Sequence, residues 1–151
     1  MATTAGEAVS GRRREPALRE AAMPIKVGRV ILIGIAAELL AILCLVALVA
    51  LLGPSGPSEA TAFAEKLGRW VGPIAGFLSC LAGGWLVARG LPTHHVANGL
   101  ALGLFVMVID VTLLASTGEG FEPVFLVSNV GRVVAGGLGG QLAGRGARHV
   151  G

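Results

Sequence analysis

Charge is scarce in this 151-residue chain: Asp, Glu, Lys and Arg make up 14%, against 54% hydrophobic residues and a mean hydropathy of +0.77. A soluble domain of this length carries roughly a quarter charged residues, so the composition belongs in lipid. Cysteine is equally sparse. Cys44 and Cys80 both fall inside apolar segments, where a small packed side chain is the expected role rather than a disulfide or a metal ligand. Catalytic motifs are missing too. Ser79 beside Cys80 has no His base within its helix, and the adjacent His94 and His95, in a short loop over residues 90–95, do not face one metal on a helix. Neither an enzyme nor a cofactor or metal is expected.

What the chain does have is glycine, 24 residues of it, in a repeated signature. Gly83-Gly84-Trp85-Leu86-Val87-Ala88-Arg89-Gly90 and Gly139-Gly140-Gln141-Leu142-Ala143-Gly144-Arg145-Gly146 both read G-G-x-L-x-x-R-G. Each closes an apolar stretch. The pattern predicts an all-α polytopic membrane protein, with four transmembrane helices in two similar hairpins packed through glycine.

A hydrocarbon core about 30 Å thick needs roughly 20 apolar residues of helix. Four segments are expected to cross: 30–52, 70–88, 96–115 and 124–143. The first holds fifteen Val, Ile or Leu residues and one charge, Glu38, so its apolar content outweighs the carboxyl group. The fourth is the weak one. Its nine large apolar residues contribute about −4 kcal/mol on an insertion scale, which Arg132 nearly cancels. Before the second crossing, Ser58 is expected to cap a short interfacial helix over 58–67.

Lys and Arg placement sets the orientation. Arg12, Arg13, Arg14, Arg19, Lys26, Arg29, Arg89, Arg145 and Arg148 fall on one side, and only Lys66 and Arg69 on the other. The positive-inside rule then puts both termini in the cytoplasm, with Trp70 and Trp85 near opposite interfaces. Residues 1–28 read as a disordered basic tail, not a cleaved signal peptide. The Arg12 to Arg14 run beside a first crossing is a topology signal, and no nucleic-acid partner is expected.

Small residues at every fourth position let membrane helices approach closely. Gly72, Gly76 and Gly84 form one such ridge with Cys80 and Ala88; Gly99 and Gly103 form a second; Gly136, Gly140 and Gly144 form a third. They are read as packing surfaces within the bundle, or as a face for another subunit. Glu38, Asp110, Asn129 and Arg132 form the candidate charge network, since an intramembrane ionisable group is a functional hypothesis by default. From the 1.5 Å rise, Asp110 and Asn129 lie roughly 7 Å outward of their segment midpoints, Arg132 about 2 Å outward and Glu38 about 4 to 5 Å inward. One cation therefore faces two carboxyl groups. If Arg132 pairs with Asp110, Glu38 lacks a full counter-charge and carries a proton.

The layout of four helices, with a glycine-rich second and fourth each ending in that signature, resembles small uncharacterised four-helix bacterial membrane proteins, of the domain-of-unknown-function type. The resemblance covers residues 29–147 and implies no activity. The leading expectation is a non-enzymatic structural or interaction subunit of the bacterial inner membrane, packing by its glycine ridges as a homo-oligomer or in a larger membrane complex. The rival is a small proton-coupled transporter or channel built on Glu38, Asp110 and Arg132. A water-filled path to Glu38 would favour transport, and a dry, fully paired network would favour the scaffold.

Overall fold

The computed structural model describes residues 25–117 and 123–148. The N-terminal arginines up to Arg19, Glu119 and Val150 lie outside them. The described residues form four helices: α1 (Val27–Leu52), α2 (Pro57–Ala88), α3 (His95–Thr117) and α4 (Pro123–Arg148). Gly53 ends α1, its amide bonding back to Val49 O at 2.8 Å, and Pro54 follows, where a helix does not continue. Pro57 opens α2 in its first turn, where the missing amide costs nothing.

Two expectations are corrected at this level. The interfacial helix 58–67 and the crossing 70–88 are one unbroken α2 of 32 residues, and Ser58 makes no capping bond. Gly68 lowers helix propensity by only about 1 kcal/mol, and a proline such as Pro73 is tolerated where neighbouring helices surround it. The second correction concerns α4. Helices α1, α2 and α3 are long and apolar enough to cross a membrane, whereas α4, although 26 residues long, is not a candidate by composition. Seven glycines, together with Asn129, Arg132, Gln141 and Arg145, dilute it. Its large apolar residues gather on one stripe, with Leu126, Val130, Val134, Leu138 and Leu142 at four-residue spacing, all exposed.

The close approaches give the arrangement. On α2 and α4, Gly76 meets Arg132, and Gly84 meets Gly136 and Gly139, so these helices run parallel. Helices α1 and α3 are likewise parallel, with Lys26 at Asn98 and Gly34 at Phe105. The two hairpins thus lie side by side with like helices adjacent. A two-fold axis along the bundle would instead set α1 beside α4, and the backbones of these two do not approach each other. The repeated signature follows the same logic: its two copies pack against each other, Gly139 lying against Leu81, Gly84 and Trp85.

One end of the bundle is tied tightly. The Lys26 amide donates to Asn98 Oδ1 at 2.8 Å, and Asn98 Nδ2 donates to His94 O at 3.0 Å. Arg29 Nη2 donates to Leu86 O at 2.7 Å, and His95 Nδ1 lies 3.1 Å from Ala88 O, so two carbonyls freed at the end of α2 find partners. The turn into α3 needs Gly90, whose φ is +76°. In this half, glycines bring backbones together. A Cβ on Gly103 would lie 2.6 Å from Arg132 O and 2.7 Å from the Val133 Cα; one on Gly84 or Gly99 would strike the Gly136 carbonyl, and one on Gly140 the His95 carbonyl. Val30, Cys80, Val87, Leu102, Val106 and Ala135 fill the core between these contacts.

Not every glycine of the expected ridges meets a helix. Gly144 packs against the His95 ring, and Gly76 leaves room for the Arg132 guanidinium. A Cβ on Gly72 would meet nothing within 4 Å. Sequence spacing treats all turns of a ridge alike, but α2 departs from its neighbours beyond Gly76.

Candidate functional site

Where the helices part, four polar side chains converge. Glu38 lies on the buried face of α1 with Gly34 and Ala37, and it is 8% exposed. Asp110 comes from α3, one face with Gly103. Arg132, 5% exposed, leaves α4 across Gly76 of α2, whose missing side chain opens the way. Its Nη1 donates to Glu38 Oε2 at 3.2 Å and forms an ion pair with Asp110 Oδ1 at 3.1 Å. Asn129, nearly one turn earlier on α4, donates through Nδ2 to Asp110 Oδ2 at 2.8 Å and to Phe125 O at 2.9 Å. Since the backbones of α1 and α4 do not approach each other, the Arg132 side chain spans the gap between them.

The structure therefore brings together all four residues, with one difference in pairing. The sequence sets one cation before two carboxyl groups and admits the case in which Arg132 pairs with Asp110 alone. Instead one guanidinium nitrogen is shared between the two carboxyl groups. Both helices that carry the acids lean on α2, which places their side chains on either side of the arginine tip. Asp110 is then the better engaged acid, Oδ2 accepting from Asn129 and Oδ1 lying in the ion pair with Arg132. Glu38 engages only Oε2, and its Oε1 accepts no hydrogen bond among the described residues. Two further buried atoms, Arg132 Nε and Asn129 Oδ1, have no partner among the described residues.

A cavity of about 830 Å³ lies on the opposite side of the network from the tied end. Glu38, Asp110 and Arg132 form its floor. Its walls are Ala41, Ile42 and Leu45 from α1, Gly68, Gly72 and Pro73 from α2, and Pro123, Phe125 and Ser128 from α4, with Glu65 and Arg69 further out along α2. Its volume falls in the range of small-molecule pockets, and its make-up, apolar with a few convergent polar groups, is that of a binding site. A smaller hollow of about 570 Å³, lined by His94, His95, Gln141 and Arg145, lies at the tied end.

Sequence reasoning missed the cavity and three polar residues. Arg69 enters the sequence reading only as a topology charge, and Glu65 not at all. Asn98, fully buried and bonded across to α1, had a visible signal as a polar residue inside the third apolar segment. No protein-family model matches the chain, nor does any curated protein or solved structure.

Proposed function

We propose that the chain is a small proton-coupled membrane transporter, whose cavity admits solute to a proton-carrying Glu38. The observation that carries this reading is the cavity floor: an opening of about 830 Å³ ends on the only described site where two carboxyl groups share one arginine. A dry, fully paired network would have favoured a scaffold. Burying one cation with two anions leaves an excess charge that is costly in a low-dielectric interior, and a bound proton removes it. Hydrogen bonds and ion pairs together favour Glu38 for that proton, since both Asp110 oxygens are engaged, Oδ2 by Asn129 and Oδ1 by Arg132, whereas Glu38 Oε1 has no partner among the described residues and is free to carry it. Infrared difference spectra across a pH titration are expected to show one protonated carboxyl band that Glu38→Gln removes and Asp110→Asn retains. A band unaffected by Glu38→Gln overturns the assignment.

In this reading α4 crosses the membrane with the other three helices. A hydropathy window averages its two faces, but the exposed stripe from Leu126 to Leu142 is suited to lipid, and Ser128, Asn129 and Arg132 face the bundle. The interaction-subunit alternative would need a glycine ridge on the outer surface. Gly84, Gly99, Gly103, Gly136 and Gly140 are instead met by neighbouring helices of the same chain.

The charge bias supports a topology with both termini in the cytoplasm, in which the cavity opens outward. In a background with Cys44 and Cys80 replaced by alanine, Gly72→Cys should react with a membrane-impermeant thiol reagent added to intact cells. Gly6→Cys and Val150→Cys should stay protected. Labelling at a terminus, or none at position 72, overturns the topology or the open cavity respectively.

A further inference from the structure

We infer that the cavity takes a monovalent organic cation bearing apolar groups, an ammonium or phosphonium amphiphile, whose charge settles beside Glu38 as that residue gives up its proton. This rests on the transport reading above and names its solute class.

The sign of the charge comes from the walls. Once Glu38 is ionised, the described residues of the lining set three carboxylates, Glu38, Glu65 and Asp110, against two guanidinium groups, Arg69 and Arg132, an excess of one negative charge. An anion would add to that excess. The deficit also has a place: Asp110 is satisfied by Arg132 and Asn129, whereas Glu38 has one oxygen without a hydrogen bond among the described residues.

The size and lining decide what kind of cation it is. A bare metal ion needs several hard oxygen ligands closing to about 2.0–2.6 Å, and no group of three acid, His or Cys side chains converges in that way among the described residues. A space of about 830 Å³ walled by Ala41, Ile42, Leu45, Pro73 and Phe125 is far larger and mostly apolar. Such walls favour hydrocarbon or aryl substituents, at about 25 cal/mol per Å² of apolar surface removed from water, and the Phe125 ring supplies a face for cation–π contact.

The two ligands of Glu38 exclude each other. In the empty site the carboxyl group holds a proton. When the cation enters, the Glu38 O–H bond breaks, the proton leaves to water and the carboxylate pairs with the cation, so one positive charge replaces another. The groups that face Glu38 are Cys80, Glu65 and Arg69 of α2, Asp110 of α3 and Arg132 of α4. Arg132 and Asp110 form an ion pair at 3.1 Å, so the proton that the cation displaces is the one on Glu38. Affinity should therefore rise about tenfold per pH unit wherever the empty site is protonated.

Calorimetric titration of the full chain in detergent with tetraphenylphosphonium tests this, run at pH 6, 7 and 8 in two buffers of different protonation enthalpy. The expected result is binding that tightens about tenfold per pH unit with close to one proton released. Glu38→Gln should weaken binding at least tenfold and abolish the pH dependence. Gly72→Leu, which fills the cavity, should weaken it as well, and Leu43→Phe on the lipid face should not. The inference is overturned by pH-independent binding, by wild-type affinity in Glu38→Gln, or by tighter binding of tetraphenylborate, which has the same shape and the opposite charge. If tetraphenylphosphonium fails while the Glu38 infrared band and outside labelling of Gly72→Cys persist, the solute class falls and the transport reading stands. Loss of those two signals removes the transport reading itself.

Discussion

Gly84→Leu and Gly140→Leu are expected to lower stability in detergent by about 3 kcal/mol or more, and Gly72→Leu by less than about 1 kcal/mol, although all three put the same side chain on a glycine of the same kind of ridge. The difference lies in what each new side chain would meet. At Gly84 the first added carbon runs into the Gly136 carbonyl, and at Gly140 into the His95 carbonyl; both are backbone, which has no rotamer to turn aside. Relief requires moving α4 away from α2 or α3, and the core around Val87, Leu102 and Ala135 would open with it. At Gly72 the added atoms enter the cavity, with nothing within 4 Å of the first. Leu43→Phe, on the exposed face of α1, serves as the lipid-side control. Thermal unfolding followed by circular dichroism and by gel-filtration recovery separates the classes. Equal losses at Gly72 and Gly84 would mean that the bundle does not close at one end and open at the other.

That asymmetry marks the limit of what the sequence conveys. Helix α1 is legible from its run of Val, Ile and Leu, and the meeting of Glu38, Asp110 and Arg132 is legible from depth, because a rigid 1.5 Å rise carries each residue to a fixed height. Spacing also identifies the glycine ridges. It does not show which turns of a ridge have a partner, since that depends on where helix axes diverge. At Gly76 one long side chain, Arg132, occupies the space beside the glycine, and at Gly72 no neighbouring atom comes within 4 Å of a Cβ. The cavity there leaves no pattern in the chain. Depth sets Arg132 before both acids, but which oxygens it engages depends on side-chain torsions rather than on register. Helix α4 shows a different limit. Averaging along its sequence blends an apolar stripe with a face of glycine, Asn129 and Arg132, and the average resembles neither.

The network itself allows the second large effect. Arg132→Leu removes the only cation between Glu38 and Asp110, and breaking a buried pair of this kind is expected to cost about 3–5 kcal/mol. Which second substitution rescues the loss reports where the proton sits. With Asp110→Leu added, the remaining acid is Glu38, which carries its own proton, so no uncompensated charge is left and Asn129 keeps its bond to Phe125 O. Most of the loss should return, because replacing both members of a buried pair by apolar residues is often near neutral. With Glu38→Leu added instead, Asp110 remains as a carboxylate held only by Asn129, and little should return. Unfolding free energies of the three variants, measured by denaturant titration in one detergent at pH 7, complete two double-mutant cycles that share the Arg132 arm. Rescue by Glu38→Leu in preference to Asp110→Leu would place the proton on Asp110. Additive losses in both cycles would mean that Arg132 touches neither acid, and the proton site at Glu38 would lose its geometric basis.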